Sequence, residues 1–261
     1  MLTLTQSHLR QLDICPRRYQ YGYLEQVPVP TDPEMLERQR WGTQFHQVMQ
    51  QRELGLPVED FLKADAALDE AVQGLLTAAP DLFAPQCDRF RQSEHRRTLA
   101  FNGYLLTAIY DLLLLEPNRG QIIDWKTYQQ PSTQAQLAKA WQTRLYLYLL
   151  VETSDLTPEQ VSMTYWFVAP PGAADRSEPP SSIAIAYSKA QHRRTEADLR
   201  RLTDQLTVLL TSGGDLPQVD PTQGYCAECS YAVRCERWAE RFGAGGGTVL
   251  PAIADIAEVP I

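Results

Sequence analysis

The 261-residue chain has few cysteines, no long hydrophobic run and no excess of positive charge. Its longest apolar runs, Leu145–Val151 and Leu112–Leu115, fall far short of the roughly 20 residues a membrane helix needs. The opening residues MLTLTQSHLR lack the apolar stretch of a secretory signal, so a cytoplasmic protein with no membrane partner is expected. Lys and Arg number 24 against 32 Asp and Glu, a net charge of −8. Bulk charge therefore argues against a nucleic-acid partner, and any such reading must rest on local site chemistry. No G-x-x-x-x-G-K-[ST] segment occurs, which excludes a phosphate-loop motor within this chain. Five cysteines, an odd count without a signal peptide, argue against a disulfide framework. A hydrophobic content of 44% with 21% charge excludes a disordered, collagen-like or coiled-coil chain.

What is present reads as a mixed α/β protein. The spacing of Leu9, Leu12, Ile14 and Tyr19 predicts a first helix, capped by Thr5 or Ser7 and broken at Pro16. Val27–Glu34 is polar and contains proline. Gln39–Arg52 and Val58–Ala78 read as helices. Ser93–Phe101, Tyr104–Leu115 and Gln121–Lys126 read as strands, the last two joined by the turn Pro117-Asn118-Arg119-Gly120. A long helix over Thr133–Thr153 follows, then strands at Val161–Val168 and Ile183–Tyr187. Ser188 caps a helix to about Leu210. From Gly243 the composition turns to GAGGG and an apolar, acidic tail, so 1–242 is expected as the folded domain and 243–261 as a Gly-rich hinge with a flexible end.

Chemistry concentrates where the strands meet. Residues two apart in a strand face the same side, so Asp124 and Lys126 of Asp124-Trp125-Lys126 project together. Asp111 on the neighbouring strand adds a second carboxylate. Two carboxylates suit Mg²⁺ or Mn²⁺, which polarise a phosphodiester and acidify bound water. Taken alone, an Asp-x-Lys pair is a strand-end salt bridge. Gln142 and Tyr146, four apart on a helix, share one face. Glu94, on the preceding strand, reads as a solvated strand charge, with an auxiliary carboxylate as the alternative.

In order, the chain has G-T-x-x-H (Gly42, Thr43, His46), an Asp on a strand (Asp111), Asp-x-Lys (Asp124, Lys126) and Q-x-x-x-Y (Gln142, Tyr146). This order resembles the RecB-like branch of the PD-(D/E)XK nucleases. The phrase Leu4-Thr5-Gln6-Ser7-His8-Leu9, leading to Cys15-Pro16-Arg17-Arg18, is similar to that branch as well, and the resemblance covers roughly 4–238. It implies a restriction-endonuclease-like mixed sheet of four or five strands flanked by helices. It also implies His46, Asp111, Asp124 and the Trp125 carbonyl as ligands of Mg²⁺ or Mn²⁺, and Lys126 as the catalytic lysine. Gln142 and Tyr146 would position DNA or the lysine. The chain departs from the family at Ala108, where glycine is common, and at Leu114, where a second acid is common.

Cys226, Cys229 and Cys235 form C-x2-C-x5-C, and Cys15 stands apart near the other end. Four thiolates in this layout suit zinc or a cubane iron–sulfur cluster; zinc ribbons usually show two paired arms, whereas iron–sulfur ligation tolerates uneven spacing. Cys87 is incidental. The resemblance extends to AddAB-type, exonuclease-V-type and CRISPR-associated adaptation nucleases, and so implies a [4Fe–4S] cluster on Cys15, Cys226, Cys229 and Cys235, held in a helical cap that joins the chain ends.

For DNA contact, Arg193, Arg194, Arg200 and Arg201 lie on one helix, and Arg144 on another. Single arginines of this kind are usually solvated helix charges; as a stripe they suit phosphates. The expectation is a metal-dependent deoxyribonuclease, a single-strand exonuclease in DNA repair, recombination or CRISPR adaptation. A separate helicase or CRISPR adaptation proteins would be its partners. Two alternatives stand: a non-catalytic DNA-binding subunit, and the same nuclease stabilised by zinc.

Overall fold

A computed structural model describes residues 1–29, 32–84, 89–127, 133–168 and 179–242. Cys87 and the 243–261 tail lie outside the described residues. The chain divides into two compact units. One comprises 1–10 and 30–211; the other comprises 11–29 with the segment from 212 onward.

The larger unit is built on a six-stranded mixed sheet. Its strands are β1 (Thr3–Leu4), β2 (Phe90–Phe101), β3 (Tyr104–Glu116), β4 (Arg119–Lys126), β5 (Val161–Phe167) and β6 (Ser181–Ala186). The order is β1-β3-β4-β5-β6, with β2 along the other edge of β3. Six strands replace the expected four or five. The addition is β1, too short at two residues to show a period, which pairs parallel with Leu105 and Leu106. Asn102 and Gly103, at φ of 48° and 85°, make the two-residue turn between β2 and β3. Asn-Gly is favoured there because both positions need left-handed backbone. β4 and β5 run parallel, so helices must cross between them.

The helices are α1 (Gln6–Ile14), α2 (Pro16–Tyr19, followed by a wider turn to Leu24), α3 (Pro33–Glu53), α4 (Glu59–Ala64), α5 (Ala66–Ala78), α6 (Pro80–Phe83), α7 (Gln134–Lys139), α8 (Trp141–Glu152), α9 (Lys189–Ser212) and α10 (Trp238–Phe242). Three boundaries differ from the expected ones, each for a local reason. α3 starts six residues early because Asp32 accepts from the Glu34 N–H and Pro33 sits at the first helical position. The helix expected over Val58–Ala78 is two, since the Asp65 carboxylate caps a fresh start at Ala67 and Leu68. The long helix expected over Thr133–Thr153 breaks at Ala140, which is extended (ψ 141°). Both the Ala140 N–H and the Thr143 hydroxyl bond the Leu137 carbonyl, closing α7 as α8 begins.

The core explains the layering. Trp41, Phe45, Val48 and Met49 of α3 pack with Val72 and Leu75 of α5 against Leu112, Leu114, Ile123 and Trp125 of the sheet. Alternation sends Ile122, Asp124 and Lys126 of β4 the other way. α8 is buried along nearly its whole length, from Trp141 to Leu150, and the Tyr110 hydroxyl donates to its Tyr146 carbonyl at 3.0 Å. No described helix is long and apolar enough to cross a membrane.

Candidate active site

The site is assembled at the point where β3 and β4 stop pairing. The ladder runs from Glu116↔Arg119 to Leu112↔Ile123, and the same register sets Asp111 against Asp124. The Asp111 carboxylate then takes over from the ladder: Oδ2 accepts the Trp125 backbone N–H at 2.7 Å. Its other oxygen, Oδ1, lies 3.4 Å from Nδ1 of His46 on α3.

α3 approaches the end of β4 closely at Gly42. A Cβ there would stand 2.6 Å from Thr127 Oγ1. The glycine of Gly42-Thr43-x-x-His46 is thus a contact requirement. It lets the helix pass the residue after Lys126, with His46 one turn further on.

Asp124 is 2% exposed, and such a carboxylate needs partners. It has two from this unit. Lys126 pairs with its carboxylate, and Gln142 Nε2 donates to Oδ2 at 2.6 Å. Lys126 Nζ in turn donates to Gln142 Oε1 at 2.9 Å and sits 5.3 Å from the Tyr165 ring centroid. Asp124, Lys126 and Gln142 therefore form a closed ring of contacts, with the amide fixed by an acceptor on one side and a donor on the other. Burial pushes the Asp124 proton affinity up, Asp111 adds to it, and Lys126 opposes both. The Tyr146 hydroxyl hydrogen-bonds Gln142 and the Ile109 backbone, and burial with the nearby Asp124 and Asp111 charges raises its pKa.

Glu94 was expected as a solvated charge. It is exposed, yet it stands beside His46 and Asp111, and ligand atoms of these three lie within 4.8 Å of one another. Its backbone is left-handed (φ 49°) inside β2, a conformation a non-glycine residue adopts at a cost of roughly 1–3 kcal/mol. Partial burial and the Asp111 charge raise its pKa. For His46, burial acts downward, but the Asp111 hydrogen bond and charge prevail and the pKa is raised. An imidazole and two carboxylates, with His46 and Glu94 both holding their protons more tightly than usual, form a site of negative potential suited to a divalent cation. Among the described residues this is the group whose donors converge for an ion. Asp124 instead faces Lys126 and Gln142, and Trp125 contributes its N–H to Asp111 while its ring lies 3% exposed and stacks on Phe83. The sequence signal that points to Glu94 is its register: Ser93↔Leu112 and His95↔Tyr110 leave it opposite Asp111.

The arginines expected on DNA are differently placed. Arg144 pairs with Asp198 at 2.5 Å and lies 4.2 Å from the Trp141 ring centroid. Arg200 pairs with Glu196 and Arg201 with Asp198 along α9. Arg193 and Arg194 are exposed.

In the smaller unit, Cys15, Cys226 and Cys229 are buried and Cys235 half-buried, all as free thiols. All four line one cavity, together with Arg18 and Arg237. Burial raises the Cys226 thiol against the pull of Arg237, and burial with neighbouring thiols raises Cys235. Hydrogen bonds from Arg17 to the Leu216 carbonyl (2.5 Å) and from the Leu216 N–H to Gln20 (2.7 Å) join the two segments of this unit.

Comparison with known proteins adds the family. No curated protein matches this sequence. The crystal structure of a protein named "Putative exonuclease" from Eubacterium rectale is similar over 89% of this chain and 87% of its own, at 10% identity and a TM-score of 0.52, a likeness of fold. That of SSO0001 aligns over 90% of this chain and 86% of its own at 14% identity, with a TM-score of 0.39. A model of the PD-(D/E)XK nuclease superfamily matches residues 3–236, so that this chain belongs to that superfamily.

Proposed function

We propose that the protein is a Mg²⁺- or Mn²⁺-dependent deoxyribonuclease of the RecB-like branch that hydrolyses single-stranded DNA from an end. The observation that carries this reading is the ring of Asp124, Lys126 and Gln142, set beside the His46–Glu94–Asp111 group. The donor set fits a hard divalent cation, with His46, Glu94 and Asp111 holding it and Asp124 within reach of the same charge. Bound there, the ion polarises the phosphodiester and lowers the pKa of water. The chain's own residues do the rest. Lys126, held by Gln142 and Asp124, presents its ammonium to the charge that grows on the phosphoryl oxygens. Gln142 fixes that ammonium in place, and Tyr146 fixes Gln142.

We further propose that Cys15, Cys226, Cys229 and Cys235 carry a [4Fe–4S] cluster within a 1–242 domain, with 243–261 outside it. One observation, the spacing of the thiols, favours a cluster over zinc. The thiols share one cavity. Yet no three of them are among the described donors that converge within 4.8 Å, whereas zinc–sulfur bonds of ~2.3 Å in a tetrahedron require sulfurs under about 4 Å apart. The cationic Arg18 and Arg237 on the same cavity would offset the negative charge of four metal-bound thiolates. A repair or CRISPR-adaptation role in the cytoplasm, beside a separate helicase, is the proposed setting.

Incubating the anaerobically purified protein with end-labelled single-stranded DNA and Mn²⁺ tests the reading. Cleavage is expected, lost on chelation and in Asp124→Ala and Lys126→Ala. DNA binding without cleavage under every metal would establish the non-catalytic subunit instead. A colourless protein containing zinc would replace the cluster.

A further inference from the structure

We propose that a groove between α7, α8, β6 and α9 seats one nucleotide of the substrate strand next to the scissile bond, with its phosphate between Lys139 and Arg194. The inference rests on the nuclease reading and names where that substrate is gripped.

The groove has a volume of about 300 Å³, at the lower end of the ~300–1,000 Å³ usual for small-ligand sites. Its floor is apolar, from Leu147 and Ile185, and Tyr187 and Gln191 add polar edges. Lys139, Arg144 and Arg194 also line it, and no carboxylate is among its described lining residues. In a chain of net charge −8 this local excess of cations is the reverse of the bulk trend. Arg144 is held by Asp198 and by the Trp141 ring, so it forms a rigid wall. Lys139 and Arg194 are exposed and supply the cationic rim. An apolar floor under a cationic rim matches a base and sugar with an attached phosphate.

Helix α8 connects this groove to the chemistry. Gln142 turns to Lys126 and Asp124, while the next two residues, Thr143 and Arg144, turn to the groove. The Thr143 hydroxyl hydrogen-bonds that of Tyr165 at 2.7 Å, and the Tyr165 ring centroid lies 5.3 Å from Lys126 Nζ, so the groove wall and the lysine flank one tyrosine. A strand whose phosphodiester lies at Lys126 therefore has a neighbouring nucleotide within reach of the groove.

The test is equilibrium binding of fluorescein-labelled oligothymidylate to the full chain in chelator, where cleavage cannot proceed. Lys139→Gln/Arg194→Gln is expected to weaken binding about tenfold and to reduce the slope of log K against log salt by at least ~0.7, one single-strand phosphate contact. Lys63→Gln, an exposed lysine on α4 outside the groove, is expected to bind as the parent does. Ala138→Asp, which adds an anion to the groove wall and removes neither cation, is expected to weaken binding as well. Parent-like affinity and salt slope in both groove variants would overturn the groove assignment and leave the nuclease reading intact. Failure of the parent protein to bind the oligonucleotide in chelator while it cleaves with Mn²⁺ would overturn the groove assignment alone; failure of both binding and cleavage would overturn both.

Discussion

Asp111 accepts the backbone N–H of Trp125 at 2.7 Å, so the first acid of the site holds in register the strand that carries the second. Charge and scaffold are thus separable at this position. Asn keeps an oxygen for the Trp125 N–H and loses the charge; Ala loses both and leaves a backbone donor without its partner. Such a loss costs about 1–3 kcal/mol. Both variants are expected to be inactive, with Asp111→Ala melting well below Asp111→Asn. Equal melting temperatures in chelator would show that the bond to Trp125 contributes nothing to stability.

The close approach of α3 to the end of β4 makes a second, sharper expectation. A Cβ at Gly42 would meet Thr127 Oγ1 at 2.6 Å, while Thr127 Cβ lies at 3.6 Å. Thr127 is β-branched and cannot swing aside freely. Gly42→Ala is expected to cost about 1–3 kcal/mol by overpacking and to lower cleavage by displacing the residue next to Lys126. Thr127→Ala removes the clashing oxygen and is expected to restore most of the loss in the double variant. Denaturant melts of the four proteins give the coupling energy; strict additivity would place the cost of Gly42→Ala elsewhere.

The strands that carry Asp111, Asp124 and Lys126 were legible because local signals agree: an apolar run, a turn, and a period of two that puts Asp124 and Lys126 on one face. The helix carrying Gln142 was legible as a helix, but its break at Ala140 was not, because the break comes from a Thr143 hydroxyl bond to Leu137 that no propensity records. β1 was invisible at two residues, having its partner about a hundred residues away. The start of α3 is hidden because Pro33, which opens the helix, falls in the polar, proline-containing stretch Val27–Glu34. Glu94 is ranked first as a solvated charge for a related reason. A charge on an alternating, half-exposed strand looks solvated, and only its position opposite Asp111 and beside His46 gives it another meaning.

Glu94 has a measurable role apart from turnover. If it shares a cation with His46 and Asp111, Glu94→Gln removes one negative charge from the ion and keeps the side-chain size. Mn²⁺ affinity, read by paramagnetic resonance of free Mn²⁺ without DNA, is expected to fall by roughly tenfold or more, in line with the strength of charged ligands for hard ions. His46→Gln is expected to weaken it as well. Unaltered Mn²⁺ binding in Glu94→Gln would return the residue to a solvated strand charge.

The four cysteines lead to the last expectation. Their unit has little regular structure among its described residues beyond the end of α1, α2 with its following turn, a short 3-10 turn at Pro221–Gln223, and α10. Its two segments are joined by hydrogen bonds such as those of Arg17 and Gln20 with Leu216. A unit of this size is marginal on its own core, and metal–thiolate bonds would add folding energy outright. The larger unit has its own sheet and apolar core. Cys226→Ser/Cys229→Ser is therefore expected to abolish the brown colour and bound iron. It is also expected to raise hydrogen exchange across 11–29 and 212–242 while leaving β3 and β4 protected. Exchange unchanged in both units, with iron absent from the parent protein, would remove the metal from the account of this unit's stability. Exchange raised equally across β3 and β4 would show that the larger unit depends on the cysteines as well.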